Sequence, residues 1–296
     1  MSFVMALCRY LALLLSTWLP LSAQDNARAL LGEGLAHLEH ARYEPAVEAL
    51  ERAVQLEPSL MLAQYDLGVC YFAQGRFADA HSAFDKALLL NPHHRFTAYY
   101  LARLDLMDGS LDAAIARFAN LGDSPPVADE SYYLGSAYFR KGEFQPAIRS
   151  LRKAIALKPD DSRVHFLLAR VYQKAGSSVE AKEHFALSEQ LRSADQVRAR
   201  DILACDKALD SQDRERAIEQ CRELLDGADP VKLVSLGIAL GKRQLHEPAI
   251  EPFRKAARLD AEDFESHYNL GLTYFRMKNY PAARGPLSSL PRLPPQ

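Results

Sequence analysis

Apolar and small residues recur at helical spacing throughout residues 61–92, the most regular stretch of the chain. The first half carries Leu67, Gly68 and Tyr71 on one helical face, and the second half carries Phe77, Ala80, Phe84 and Ala87. Gly75 stands between the two halves, and Pro92 cannot continue a helix because it lacks the backbone N–H. The pattern predicts two amphipathic helices joined by a tight turn.

Two small-residue positions of this stretch recur along the whole chain. The first position is occupied by Gly34, Gly68, Ala102, Gly135, Ala169, Cys205, Gly237 and Gly271. The second is always alanine, at Ala46, Ala80, Ala114, Ala147, Ala181, Ala217, Ala249 and Ala283. We expect the two positions to face each other where paired helices cross, since small side chains let two backbones approach closely.

The stretch 61–92 resembles a tetratricopeptide repeat, in which Leu-Gly, Tyr, Ala, Phe and Pro occupy fixed offsets within 34 residues. The resemblance covers about nine-tenths of the chain. It implies an all-α fold, a right-handed superhelical solenoid of helix-turn-helix repeats over residues 27–283. We expect about seven full repeats and a truncated eighth. The fold serves many partners, so the resemblance does not name one.

Three segments depart from the regular repeat. Repeat six, at about 198–229, is degenerate, and the stretch 186–200 contains neither proline nor glycine, so a helix is expected to continue through it. Residues 284–296 contain four prolines and are predicted to form an irregular tail, because a normal helix cannot extend through them. The first helix of the eighth repeat, 264–277, would then expose Leu270 and Tyr274. These side chains would offer a surface for self-association through the C-terminal end.

Residues 1–23 have the pattern of a secretory signal peptide. Arg9 precedes an uncharged apolar run that ends in the small residues Ser22 and Ala23. The run is short for a membrane span. The pattern predicts an exported protein, periplasmic or secreted, with no membrane span after cleavage. An uncleaved membrane anchor and a buried N-terminal helix are the alternatives.

Cys205 and Cys221 are a candidate disulfide pair in the exported chain. Cys205 occupies the small position of its helix, and Cys221 lies one turn beyond Ala217 on the facing helix. An oxidising compartment would allow a bridge to persist, but a one-turn offset could hold the sulfurs too far apart. A bridge and two buried free thiols therefore both remain open.

The sequence contains no catalytic signature, and we expect the chain not to be an enzyme and to bind no cofactor or metal. No Gly-rich phosphate loop, His-Glu-x-x-His or Gly-x-Ser-x-Gly motif occurs. The net charge of −2 argues against nucleic acid as a partner. Two function classes remain: a scaffold that binds proteins and mediates assembly, and a regulatory or substrate-binding part of a larger enzyme or assembly machine.

The resemblance places a partner-binding groove on the first helices of repeats two to five. Carrying over the family's inner positions gives Tyr65, Phe72, Phe96, Tyr99, Arg103, Tyr132, Phe139, Arg140, Phe166, Arg170 and Lys174. Aromatic and arginine side chains are typical of buried protein interfaces. The basic residues favour a protein or peptide partner with acidic groups. Beyond Lys174 the inner positions become acidic at Asp206 and Asp210, so the groove is expected to change sign near repeat six.

Overall fold

The structure is a computed structural model that describes residues 23–122, 129–211, 213–225, 229–261 and 263–288. Every regular element within these ranges is an α-helix, which confirms the predicted all-α repeat fold. The chain divides into an N-terminal unit, Met1–Ser188, and a C-terminal unit, Glu189–Gln296. The predicted signal peptide lies outside the described residues except for Ala23, where the first helix begins ahead of the predicted start at 27.

The N-terminal unit is a succession of helix pairs. Its helices are α1 (Ala23–Glu39), α2 (Tyr43–Leu56), α3 (Met61–Ala73), α4 (Phe77–Leu90), α5 (Arg95–Asp108), α6 (Leu111–Ala119), α7 (Glu130–Lys141), α8 (Phe144–Leu157) and α9 (Ser162–Lys174). Helix α10 (Ser178–Ala208) begins in this unit and continues into the next. Its uninterrupted course confirms the helix predicted through 186–200.

The C-terminal unit continues the same alternation of first and second helices. After α10 it contains α11 (Arg214–Leu225), α12 (Pro230–Lys242), α13 (His246–Leu259), α14 (Phe264–Arg276) and α15 (Tyr280–Ser288). Its core gathers apolar residues from α10 to α14, among them Leu209, Leu236 and Phe253. None of the helices in the described ranges is long and apolar enough to cross a membrane.

Paired helices cross at a small residue packed against a large one. The predicted approach of the two small positions occurs at Gly135, where an added Cβ would lie 3.4 Å from the Ala147 carbonyl oxygen, but atoms of the bulky residue Leu151 lie closer. A Cβ added to Gly68 would lie 2.5 Å from the Phe84 ring. The same close approach occurs in Gly34–Leu50, Gly135–Leu151, Gly237–Phe253 and Gly271–Leu287. The alanine of each second helix is buried one turn earlier. The glycine therefore makes room for a bulky side chain, which fills the crossing at interior density.

The predicted turn at Gly75 is confirmed. Gly75 has φ +74, a left-handed conformation that glycine adopts without steric cost. The Arg76 N–H donates to the Tyr71 carbonyl at 2.8 Å, which satisfies a backbone group at the end of α3. The turn thus reverses the chain so that α4 packs against α3.

The tail predicted to be irregular from residue 284 is helical as far as Ser288, so that prediction is wrong for 284–288. Leu287 packs against Gly271, and this crossing contact anchors α15 although Pro286 lies within it. Residues 289–296 lie outside the described ranges. Leu270 is buried, and Tyr274 is only partly exposed and accepts a hydrogen bond from Arg254 at 2.7 Å, so these two residues do not form the expected apolar surface.

Candidate peptide-binding surface

The predicted groove residues all lie on α3, α5, α7 and α9, which are the first helices of repeats two, three, four and five. These residues differ in how much of their surface is accessible to solvent. Phe96 and Phe166 are the most exposed rings, at 44% and 48%. The exposed basic residues are Arg140, Arg170 and Lys174. The partly exposed members are Tyr65, Phe72, Arg103, Tyr132 and Phe139. Ten of the eleven predicted residues therefore retain some accessible surface in the described structure.

Tyr99 is the exception, and its assignment to the binding surface is wrong. Its side chain is 2% exposed, and its hydroxyl donates to the Asp129 carboxylate at 2.6 Å. Its ring packs between the rings of Tyr100, Phe118 and Tyr133. Burial and the bond to Asp129 raise the pKa of the phenol. Tyr99 holds repeat three against repeat four and does not face a partner.

Arg103 lies between two aromatic rings from neighbouring repeats. Its guanidinium carbon is 4.7 Å from the centroid of Phe72 and 4.7 Å from that of Tyr133. No carboxylate in the described part of the chain pairs with Arg103. The rings therefore hold the charge in place by cation–π attraction, and none of the described carboxylates neutralises it.

Two further arginines stack on rings of the preceding repeat. Arg170 lies 5.2 Å from the centroid of Phe139, and Arg163 lies 5.4 Å from that of Tyr132. In these two pairs and in the Arg103–Phe72 pair, the arginine comes the same number of residues after its aromatic partner in the sequence. We call Phe72, Arg103, Tyr132, Tyr133, Phe139, Arg163 and Arg170 the arginine–aromatic surface.

The basic residues of this region differ in the charge that they leave available. Arg163 pairs with Asp161 at 2.7 Å, and Arg140 donates to the Leu106 carbonyl at the end of α5. Arg170 and Lys174 have no ion-pair partner among the described residues. Arg103, Arg170 and Lys174 therefore carry the positive charge that an external carboxylate would meet.

Sequence reasoning missed Tyr133 and Arg163. The constant chain separation between ring and arginine is a signal that could have identified Arg163, because it is visible once the repeats are aligned. Tyr133 directly follows the predicted Tyr132, and only the structure shows that its ring contacts Arg103.

A buried carboxylate lies on α3, next to the predicted Tyr65. Asp66 is 8% exposed, and no partner for its carboxylate occurs among the described residues. Burial raises its pKa to about 7. Near neutral pH, Asp66 is therefore part neutral acid and part unpaired anion.

One arginine pairs with both acidic inner positions of repeat six. Arg243 contacts Asp206 at 2.9 Å and Asp210 at 2.7 Å. The predicted negative charge is therefore reduced by about half but keeps its sign. In the described ranges, no group of three or more potential metal ligands occurs.

Comparisons with known proteins place this geometry in a family. Models described as "Tetratricopeptide repeat" match residues 31–93, 234–296 and 71–134, and one described as "TPR repeat" matches 135–176. The chain is a tetratricopeptide repeat protein. The matched segments leave out 177–233, which contains the whole of the degenerate sixth repeat, at about 198–229.

Relatives among characterised proteins share the repeats at low identity. A "BBSome complex member BBS4 homolog" from Drosophila melanogaster is 23% identical over 266 residues, covering 85% of this chain and 54% of that protein. A "Protein CTR9 homolog" from Arabidopsis thaliana is 24% identical, covering 84% of this chain and 24% of that protein. The tetratricopeptide chain thus spans at most about half the length of these relatives.

A solved structure supports the fold. "MamA 41-end from Desulfovibrio magneticus RS-1" superposes with a TM-score of 0.53 at 24% sequence identity. The match covers 57% of this chain and 97% of that one. At this identity the likeness supports the helix-pair architecture and carries no information about a partner.

Proposed function

We propose that this protein is an exported, non-enzymatic scaffold whose N-terminal unit binds an acidic, partly apolar peptide segment on the arginine–aromatic surface. The observation that carries the proposal is Arg103, which is held between Phe72 and Tyr133 without a carboxylate partner. The bound segment belongs to a partner protein, which the scaffold brings into a complex.

Stacking on a ring leaves the edge of a guanidinium available. The five N–H donors of arginine lie in the plane of the group and match the two oxygens of a carboxylate. Arg170 repeats this arrangement two repeats further along, where Lys174 adds a second cation. Acidic side chains spaced along one peptide would therefore meet successive donors.

We assign the apolar contacts with the bound peptide to Phe96 and Phe166. Both rings are nearly half exposed on first helices. Phe166 is steadied by Phe185, whose ring centroid is 5.7 Å away. Rigid aromatic anchors bury much area at low entropy cost and commonly dominate an interface.

The apolar run before Ala23 supports export. A second hypothesis is that the chain is a regulatory or substrate-binding part of a larger enzyme or assembly machine. It draws support from longer relatives, of which this chain covers 54% and 24%, and from one that is named as a complex member. In both readings the repeats bind protein.

Synthetic fluorescent peptides test the binding. We expect a peptide of alternating Glu and Leu to bind the purified chain at least about tenfold more tightly than one of alternating Lys and Leu in a fluorescence anisotropy titration. Phe166→Ala should lower the affinity for the acidic peptide. Phe275→Ala, which removes an exposed ring from the C-terminal unit, should leave that affinity unchanged. Equal affinity for both peptides would overturn the proposal.

Export is tested separately. Residues 1–30 are fused to a reporter enzyme that becomes active only in an oxidising compartment. We expect activity and a processed N-terminus, and replacing part of the apolar run 11–15 with charged residues should abolish both. An active but unprocessed fusion would indicate the uncleaved anchor.

A further inference from the structure

The crossing of repeat six differs chemically from the crossings of the other repeats. Elsewhere a small residue meets a bulky side chain on the second helix, as Gly68 meets Phe84. In repeat six the two positions are Cys205 and Cys221, separated by the same 16 residues. Both are 0% exposed. Cysteine therefore replaces both members of the pair that normally holds a repeat together.

Few of the described side chains of α11 are buried. Among residues 214–223, Ala217 and Cys221 are buried and Ile218 is half-buried, while the remaining residues are exposed and nearly all charged. Arg222 of α11, Leu236 of α12 and Pro252 of α13 line a cavity of about 220 Å³. Without a bulky residue at its crossing, α11 depends on the contact that Cys205 and Cys221 make.

We propose that a disulfide between Cys205 and Cys221 closes repeat six in place of the apolar crossing contact. The Cα atoms lie 4.7 Å apart, within the range of protein disulfides. The two thiols lose two protons and two electrons and form one S–S bond. A protein or low-molecular-weight disulfide accepts the electrons by thiol–disulfide exchange and leaves as two thiols.

The bond has a structural consequence for α10 and α11. It closes the loop that includes Asp210 and Asp213 and so restricts the unfolded chain. It also holds Cys205 of α10 against Cys221 of α11, at the crossing where the apolar contact is missing. The proposal is independent of the peptide-binding surface, which lies on other repeats, but it requires an oxidising compartment.

Cys70 provides a matched control within the same chain. It is also 0% exposed and is a free thiol in the described structure. Burial raises the pKa of its thiol to about 12, so it stays protonated and unreactive. A Cys70→Ser variant keeps Cys205 and Cys221, so any effect that depends on the proposed bond should persist in it.

Peptide mapping tests whether the bond forms. The full chain is equilibrated with excess oxidised glutathione, denatured, alkylated, digested without reduction and analysed by mass spectrometry. We expect a linked pair of peptides containing Cys205 and Cys221, and an alkylated Cys70. Recovery of Cys205 and Cys221 as separate alkylated or glutathionylated peptides would overturn the proposal.

Thermal unfolding tests whether the bond replaces the crossing contact. We expect dithiothreitol to lower the unfolding midpoint of the parent and of Cys70→Ser by about 5 °C or more. The double variant Cys205→Gly/Cys221→Leu installs the Gly–Leu pair of repeats one and four, and its midpoint should not respond to dithiothreitol. A parent that forms the bond but shows no shift would contradict the structural role. So would a double variant that shifts as much as the parent.

Discussion

Asp66 in the N-terminal unit and Asp201 in the C-terminal unit each expose only 8% of their surface. Burial raises the pKa of Asp66 to about 7. Lys232, 2.8 Å from Asp201, and Arg200 hold the pKa of Asp201 below its usual range. The two carboxyls thus have opposite pKa shifts, because Asp66 lies deeper among protein atoms and has no counter-ion among the described residues, whereas Asp201 has Lys232 and Arg200 beside it.

The arginines show the same difference. Arg103 stacks between Phe72 and Tyr133 without a carboxylate, whereas Arg243 contacts Asp206 and Asp210. First helices of consecutive repeats in the N-terminal unit meet mainly through rings, and those of repeats six and seven meet through ion pairs. Charge that is paired within the fold attracts a ligand less strongly than unpaired charge, so the comparison favours the proposed binding of an acidic ligand by the N-terminal unit.

The largest expected effect tests the role of rings in the N-terminal unit. Tyr99→Ala removes a fully buried ring and leaves Asp129 without its donor, so we expect a loss of about 3–5 kcal/mol in the free energy of unfolding. Tyr99→Phe keeps the packing and should cost about 1–2 kcal/mol. Urea denaturation measures both. A cost below about 1 kcal/mol for Tyr99→Ala would show that the rings do not hold these repeats together.

A smaller effect separates the two aspartates. A carboxyl whose pKa is raised by folding destabilises the fold as pH rises from about 4 through 7, because the buried form must ionise. Asp66→Asn should therefore stabilise the protein on the order of 2–4 kcal/mol at pH 8 and little at pH 4.

Asp201→Asn is the matched control and should act in the opposite direction. The lowered pKa of Asp201 gives stability that is present above about pH 4 and is lost as pH falls. The substitution should therefore destabilise the protein at pH 7. Parallel pH profiles for the parent and Asp66→Asn, measured by thermal unfolding from pH 4 to 8, would contradict the account.

The smallest expected effect concerns the ion pairs of repeat six. The Arg243 partners are half or more exposed, so Arg243→Ala should cost only about 0.5–1 kcal/mol at low salt. The cost should shrink further in 0.5 M NaCl, because salt screens exposed pairs. A large cost that is insensitive to salt would mean that Arg243 stabilises the unit by packing instead.

The sequence predicted the features that periodicity and local chemistry control. Helix pairs follow from apolar spacing, the turn at Gly75 from glycine, and the long α10 from the absence of proline and glycine. The bulky residue at each crossing was not predicted, because periodicity identifies a helical face but not the side chain that fills the space between two helices. The error at Tyr99 has a related cause. The side chains of adjacent helical residues point roughly 100° apart. The rotation between repeats determines which of the two adjacent side chains is buried.

Charge reversal on the arginine–aromatic surface tests the central claim most directly. The variant Arg103→Glu/Arg170→Glu is compared with Arg254→Glu/Arg258→Glu, which changes the net charge equally on exposed residues of α13. Both are titrated with the Glu-Leu and Lys-Leu peptides. We expect the first variant to lose at least about tenfold in affinity for the acidic peptide and to prefer the basic one, while the second resembles the parent. Equal losses in both variants, or no loss in the first, would contradict the assignment of binding to the N-terminal unit.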